Sequence, residues 1–230
     1  MIEKKLMVIA APKTASTSLL HDLVTITGIK GKQLFQPLKK KKINFLNKRI
    51  LQSQRYLIKL FGGNRLTSAP QSILRDLYPS TGYPFLRVLH SDVCDLRGVN
   101  GDMFKSLFPF KIHKQHLPPT EANIELVQKY CSIILLINDP AKIIESYSRV
   151  PGIKRKYKFT KRFESGLYED LTNFIKHWKK VVPKSQTIYK ENLIDNPHIA
   201  INTCLRLMEL NHKLVSEDYS LSKQRYYRKD

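Results

Sequence analysis

A chain of 230 residues, 42% of them hydrophobic, is long enough for one globular domain with a sizeable core. Its 40 Lys+Arg against 19 Asp+Glu give a formal net charge of +21, which sets aside cationic partners and favours anions: nucleic acid, acidic glycan, anionic lipid or a phosphorylated cofactor. Cys94, Cys131 and Cys204 form no C-x-x-C pair, Cys131 and Cys204 read as small core residues of a reduced protein, and with no signal-peptide pattern and no apolar run of about 18 residues, a cytoplasmic protein without a membrane span is expected.

Residues 6–11, Leu-Met-Val-Ile-Ala-Ala, are apolar and partly β-branched, which predicts a strand buried on both faces. Pro12 ends the run. Lys13, Thr14, Ala15, Ser16, Thr17 and Ser18 lead into a helix predicted over 16–26 and closed near Gly28. Two readings stand at this junction. Either the hydroxyls are only helix caps, or the turn is an anion site where backbone N–H groups, hydroxyls and the Lys13 ammonium meet a phosphate. The Walker pattern G-x-x-x-x-G-K-[ST] is excluded, because the turn holds no glycine.

Residues 29–65 form a strongly basic insert interleaved with Phe35, Phe45, Tyr56 and Phe61, with apolar residues near helical spacing over 43–61. It is either a solvated face or a basic wall for an acidic acceptor. Further on, the pattern predicts a short helix over 69–78, strands over 85–93 and 107–112, and a helix over 120–130 capped by Thr120. A buried strand is expected over 132–137 and a helix over 140–149, with Pro140 at its first position. A basic loop leads to a helix over 163–182, a strand over 186–189, a helix over 196–210 and a polar, basic tail. This alternation predicts an α/β fold of three layers, α/β/α, around a mainly parallel sheet, as one domain over 1–230.

Three further stretches join the first. Lys114-Gln115-His116-Leu117-Pro118 follows the third predicted strand; Asn138-Asp139-Pro140 ends the next one, 22 residues beyond His116; Ser146 follows eight residues later. Tyr189-Lys190-Glu191-Asn192-Leu193 then leads into Asp195-Asn196-Pro197. With Pro12-Lys13-Thr14-Ala15-Ser16-Thr17, these motifs resemble the sulfotransferase superfamily, whose members use 3′-phosphoadenosine 5′-phosphosulfate (PAPS) and share a P-loop-NTPase-like fold. The similarity runs from residue 6 to about 210 and is loose between 29 and 105.

The resemblance implies a role for each matching position. Lys13 to Ser18 correspond to the loop that cradles the 5′-phosphosulfate, with Lys13 also neutralising the bridging oxygen. Lys114 corresponds to a second lysine of the sulfuryl site and His116 to the base that takes the acceptor's proton. Ser146 corresponds to a 3′-phosphate ligand and Tyr189 to a residue near the adenine. His113 is the main rival for the base and His90 a weaker one, but alternation along an extended chain puts residues 114 and 116 on one side.

Two departures concern the 3′-phosphate. The family usually has arginine where this chain has Asn138, and an amide cannot reproduce arginine's bidentate contact. The family's C-terminal basic-glycine segment is absent as well, with Arg225, Arg228 or Lys229 as stand-ins and Lys142, Arg149, Lys154 and Arg155 as alternatives to the missing arginine. No Cys, His or carboxylate cluster has metal-ligand spacing, so the expected chemistry needs no metal. The leading expectation is sulfuryl transfer from PAPS to a hydroxyl, or an amine, of a small-molecule or acidic-glycan acceptor. A non-catalytic polyanion- or nucleotide-binding protein of the same fold is the alternative. A kinase-like phosphotransferase lacks the Walker glycines, and sequence-specific nucleic-acid binding has no motif beyond charge.

Overall fold

The strand β1 (Lys5–Ala10) is buried from Leu6 onward and feeds two cores. Leu6, Val8 and Ala10 point to one face of the sheet, Met7 and Ile9 to the other. This is why the segment reads as one continuous apolar run instead of an alternating one. The structure, a computed structural model, describes residues 5–29, 31–33, 82–90, 92–108, 110–150, 159–209 and 214–222. Nearly all of the basic insert, the expected helix over 69–78, and Lys154, Arg155, Arg225, Arg228 and Lys229 lie outside the described residues.

Four further strands join β1: β2 (Gly31–Gln33), β3 (Ile112–Gln115), β4 (Cys131–Ile137) and β5 (Thr187–Tyr189). The order across the sheet is β2-β3-β1-β4-β5, and every neighbouring pair is parallel. The chain therefore fills one side of β1, with β2 at the edge and β3 returning beside β1, before it crosses to β4 and β5 on the other, which places a topological switch point at the carboxyl end of β1.

Helices cover both faces, so the expected three-layer α/β/α architecture is present. On the side of Leu6, Val8 and Ala10 lie α1 (Ser16–Thr27) and, near the C-terminus, Pro197–Leu207, which contribute Leu19, Leu23, Ile201 and Leu205. On the other side lie α2 (Pro84–Leu89), α3 (Gly101–Leu107), α4 (Glu121–Tyr130), α5 (Pro140–Ser148) and α6 (Lys161–Val181). Their Leu86, Phe104, Val127, Ile143, Phe174 and Trp178 close the second core. Two helices follow β5, α7 (Lys190–Asp195) and then α8, the segment Pro197–Leu207. No helix among the described residues is long and apolar enough to cross a membrane.

Several elements differ from the sequence expectation. The segment read as a strand over 85–93 is the helix α2, and the one read as a strand over 107–112 is the end of α3 followed by the start of β3. The cause of the first difference lies in α6. The carboxylate of Asp170 accepts the N–H groups of Phe85 and Leu86, each at 2.8 Å, and so caps α2 from across the fold. Without that tertiary cap, Pro-Phe-Leu-Arg-Val-Leu is an apolar run too short to assign by periodicity. The helix α7 was not expected, nor were α3 and β2.

Candidate functional site

Residues 11–15 connect β1 to α1 at the switch point. Ala11 donates its N–H to the Leu136 carbonyl of β4 at 2.9 Å, which ties the start of the turn to the sheet. The turn then passes through two left-handed residues that are not glycine, Lys13 at φ 58° and Ala15 at φ 57°. Alternating backbone conformations of this kind turn successive N–H groups toward a common concavity, an anion nest. Ala15 is the N-cap of α1 and makes no side-chain cap hydrogen bond. The first turn of α1 therefore opens on the loop without the hydroxyl cap that the plainer reading of the sequence required.

The loop side chains divide by task. Thr14 is fully buried, and its hydroxyl donates to the Ala11 carbonyl at 2.8 Å, bracing the turn from within. Ser16 is buried, while Thr17 and Ser18 are half-buried on the opening turn of α1. The Lys13 ammonium lies 4.9 Å from the centroid of the Tyr147 ring. Burial first, and Lys190 second, lower its pKa from the ordinary lysine value.

Asn138 closes the back of the loop. Its Nδ2 donates to the Lys13 carbonyl at 3.3 Å and its Oδ1 accepts the Asp139 N–H at 2.9 Å. Both ends of the amide are spent on the protein's own backbone. Asn138 thus clamps the left-handed turn.

Lys114 and His116 converge beside this loop. Lys114 is the third residue of β3 and His116 follows the strand by one position, so both side chains emerge on one side. Lys114 Nζ lies 2.6 Å from His116 Nε2, and both residues are buried. His116 Nδ1 hydrogen-bonds the Ala10 carbonyl, and the His116 backbone N–H donates to Asp92 Oδ2 at 2.8 Å. Trp178 Nε1 holds the next residue by donating to the Leu117 carbonyl at 2.9 Å. The Nδ1–H tautomer follows, with the Nε2 lone pair facing the lysine. Burial, then the Lys114 charge, pushes the His116 pKa well below its usual value, against the pull of the Ala10 carbonyl. Burial likewise lowers Lys114 to about 8, opposed by Asp92.

His113, the rival base, does not join this pair: its Nε2 accepts the Phe110 N–H at 2.9 Å and its ring packs on Phe108. His90 does join it. Its ring lies 4.1 Å from that of His116, and its Nε2 meets the Tyr147 hydroxyl. His90 and Asp92 sit in the loop that follows α2, and no strand pattern in the sequence could have brought them here. His90 was named from the sequence as a weaker rival for the base, whereas Asp92 was missed, its only sequence signal being the short spacing His-x-Asp.

Bordered by Asn138, and lined by neither Lys114 nor His116, a groove of about 770 Å³ runs between α6 and the carboxyl ends of β4 and β5. Asn138 and Tyr189 lie on its wall, as do Lys176, Lys179 and Lys180 of α6. Tyr189 is 44% exposed, and its hydroxyl accepts from Lys179 at 3.1 Å. Ser146 is half-buried on α5 and is not part of that wall. Among the cations named in place of the missing arginine, Lys142 is paired with Glu191 at 2.9 Å and Arg149 with Glu145. The α6 lysines were not found from the sequence, because nothing in a regular amphipathic helix marks one of its polar edges as a groove wall.

Among solved structures, the chain is similar to that of a sulfotransferase from Alicyclobacillus acidocaldarius, at 14% identity and a TM-score of 0.47, covering 96% of this chain and 85% of that one. No protein-family model matches the sequence, and no curated protein matches it. At that distance the likeness carries no argument about activity, which must come from the site.

Proposed function

We propose that the protein is a sulfotransferase that moves a sulfuryl group from PAPS to a hydroxyl of its acceptor. The observation that carries this reading is the convergence, at the carboxyl end of β1, of a glycine-free anion nest with a buried lysine–histidine pair. The nest, the uncapped start of α1 and the Lys13 ammonium suit the 5′-phosphosulfate, and the groove with Tyr189 and the α6 lysines suits the nucleoside and its 3′-phosphate. In this reading the cations of α6 supply the charge that the Asn138 position lacks.

The donor supplies an activated sulfur: as the acceptor oxygen bonds to it, the bond from sulfur to the 5′-phosphate oxygen breaks and the electron pair stays on the phosphate. Each side chain has a task in that transfer. His116 accepts the acceptor's proton at Nε2 while the Ala10 carbonyl holds its Nδ1–H and its ring orientation. That lone pair faces Lys114, so the lysine must turn its ammonium to the sulfuryl oxygens before His116 can act as a base. Lys13 neutralises the charge that grows on the departing phosphate. Positioning and fixed charge do most of the work, as in phosphoryl transfer. The chain's net charge of +21 favours an anionic donor and an acidic acceptor alike.

The test is transfer of radiolabelled sulfuryl from PAPS to a panel of phenolic, alcoholic and acidic-sugar acceptors by wild type and by His116→Ala. Turnover that drops by about 10²–10⁴ in the variant, with nucleotide affinity kept, is the expected result. Equal, background-level rates for both proteins with intact nucleotide binding favour the non-catalytic binding protein instead.

A further inference from the structure

His90 and Asp92, which the transfer reaction leaves unused, each present an unsatisfied atom beside His116. His90 Nδ1 and Asp92 Oδ1 are enclosed and have no hydrogen-bond partner among the described residues. Asp92 is 1% exposed, and a buried acceptor left unpaired is a standing cost in the folded state. One donor atom from each of His90, Asp92 and His116 falls within a cluster whose members lie within 4.8 Å of one another.

Each of the three is braced from behind. The Nδ1 of His116 is tied to the Ala10 carbonyl, which leaves Nε2 facing inward. The Nε2 of His90 is tied to the Tyr147 hydroxyl, which leaves Nδ1. Asp92 Oδ2 is tied to the His116 backbone N–H, which leaves Oδ1. An imidazole with one nitrogen hydrogen-bonded to an oxygen and the other lone pair directed inward is how proteins prepare histidine for a metal. Two imidazoles and one carboxylate match the ligand preference of zinc-type and ferrous ions, not of magnesium or calcium.

We propose that His90 Nδ1, Asp92 Oδ1 and His116 Nε2 form a binding site for a divalent transition-metal cation of the zinc type, and that the cation competes with the Lys114 ammonium for His116. Zinc–nitrogen distances of about 2.0 Å require the three donors to close on one another by roughly an ångström. The Lys114 ammonium lies 2.6 Å from the nitrogen of His116 that the cation would take, so cation and ammonium exclude each other. Binding itself is independent of the transfer chemistry; only its consequence, arrest of turnover by removal of the base, rests on the function proposed above.

The experiment is titration of the full chain with Zn²⁺ against a chromophoric chelator, with Co²⁺ as a spectroscopic probe. One Zn²⁺ per chain is expected, with visible absorption of Co²⁺ in a four-coordinate nitrogen–oxygen site. His90→Gln and Asp92→Asn should each weaken Zn²⁺ at least tenfold, His198→Gln should leave it unchanged, and Lys114→Met should tighten it. His90→Gln carries the test should Asp92→Asn not fold, because among the described residues the His90 side chain's one hydrogen bond is with the Tyr147 hydroxyl. Absence of Zn²⁺ binding, or affinity unaffected by His90→Gln and by Lys114→Met, overturns the proposal. A protein that binds Zn²⁺ as described but never transfers sulfuryl refutes the enzyme and leaves the metal site standing.

Discussion

Ala15 and Lys13 hold left-handed backbone that a side chain makes costly, on the order of 1–2 kcal/mol per residue. Such strain persists only where the surroundings enforce it, and here the Thr14–Ala11 and Asn138–Lys13 bonds do so. Ala15→Gly should therefore raise the unfolding free energy by roughly 0.5–1 kcal/mol, after the extra entropy of glycine is subtracted, and a denaturant midpoint that falls would contradict the account. Asn138→Ala should do the reverse. Losing the clamp should cost about 1 kcal/mol in stability and weaken a 5′-phosphorylated ligand more than the bare nucleoside, as calorimetry of both ligands would show. Lys114 is a functional residue at odds with stability. Its pKa is lowered from 10.5 to about 8 by burial, so between those values the unfolded chain holds more of the proton and stability rises with pH. Below pH 8 the cost of burying the ammonium is present in full. Lys114→Met should melt higher at pH 7, lack the rise in stability from pH 8 to 10.5, and transfer nothing.

At the scale of the elements, α2 shows how a packing contact reaches the site. Gly166 of α6 faces Phe85 of α2 so closely that an added Cβ would stand 2.1–2.5 Å from three atoms of the ring. Gly166→Ala must therefore push α2, and with it the loop of His90 and Asp92, away from α6. A loss of about 1–3 kcal/mol in chemical denaturation is expected, together with weaker Zn²⁺ binding although Gly166 touches no ligand. The same helix marks the limit of sequence reading. Elements with strong local signals were legible: the buried strands β1 and β4, α4 with its Thr120 cap, α5 with Pro140 at its start, and the long amphipathic α6. α2 was not, because the group that caps it, Asp170, lies 84 residues from Leu86 in the chain.

For the whole molecule, the parallel sheet gathers at the carboxyl ends of its strands residues that the chain scatters. Lys13 was legible because it stands just beyond a buried strand, where α/β folds place their ligands, whereas Lys114 and His116 were singled out by the resemblance of Lys114-Gln115-His116-Leu117-Pro118 to a known motif. The side-chain tasks were not. That Thr14 braces the turn, that Asn138 clamps it, and that Lys176, Lys179 and Lys180 line a groove depend on contacts between distant segments. The net charge of +21 adds a long-range attraction for anions, so affinity for any phosphorylated ligand should fall as salt is raised, and steepest below about 0.1 M. The most direct test of the central claim is calorimetric titration with adenosine 3′,5′-bisphosphate, the expected product, against adenosine 5′-monophosphate, for wild type and Lys13→Ala. The account predicts micromolar binding of the bisphosphate, markedly weaker binding without the 3′-phosphate, and loss of affinity in the variant. No binding, or equal weak binding of both nucleotides unaffected by Lys13→Ala, would contradict it.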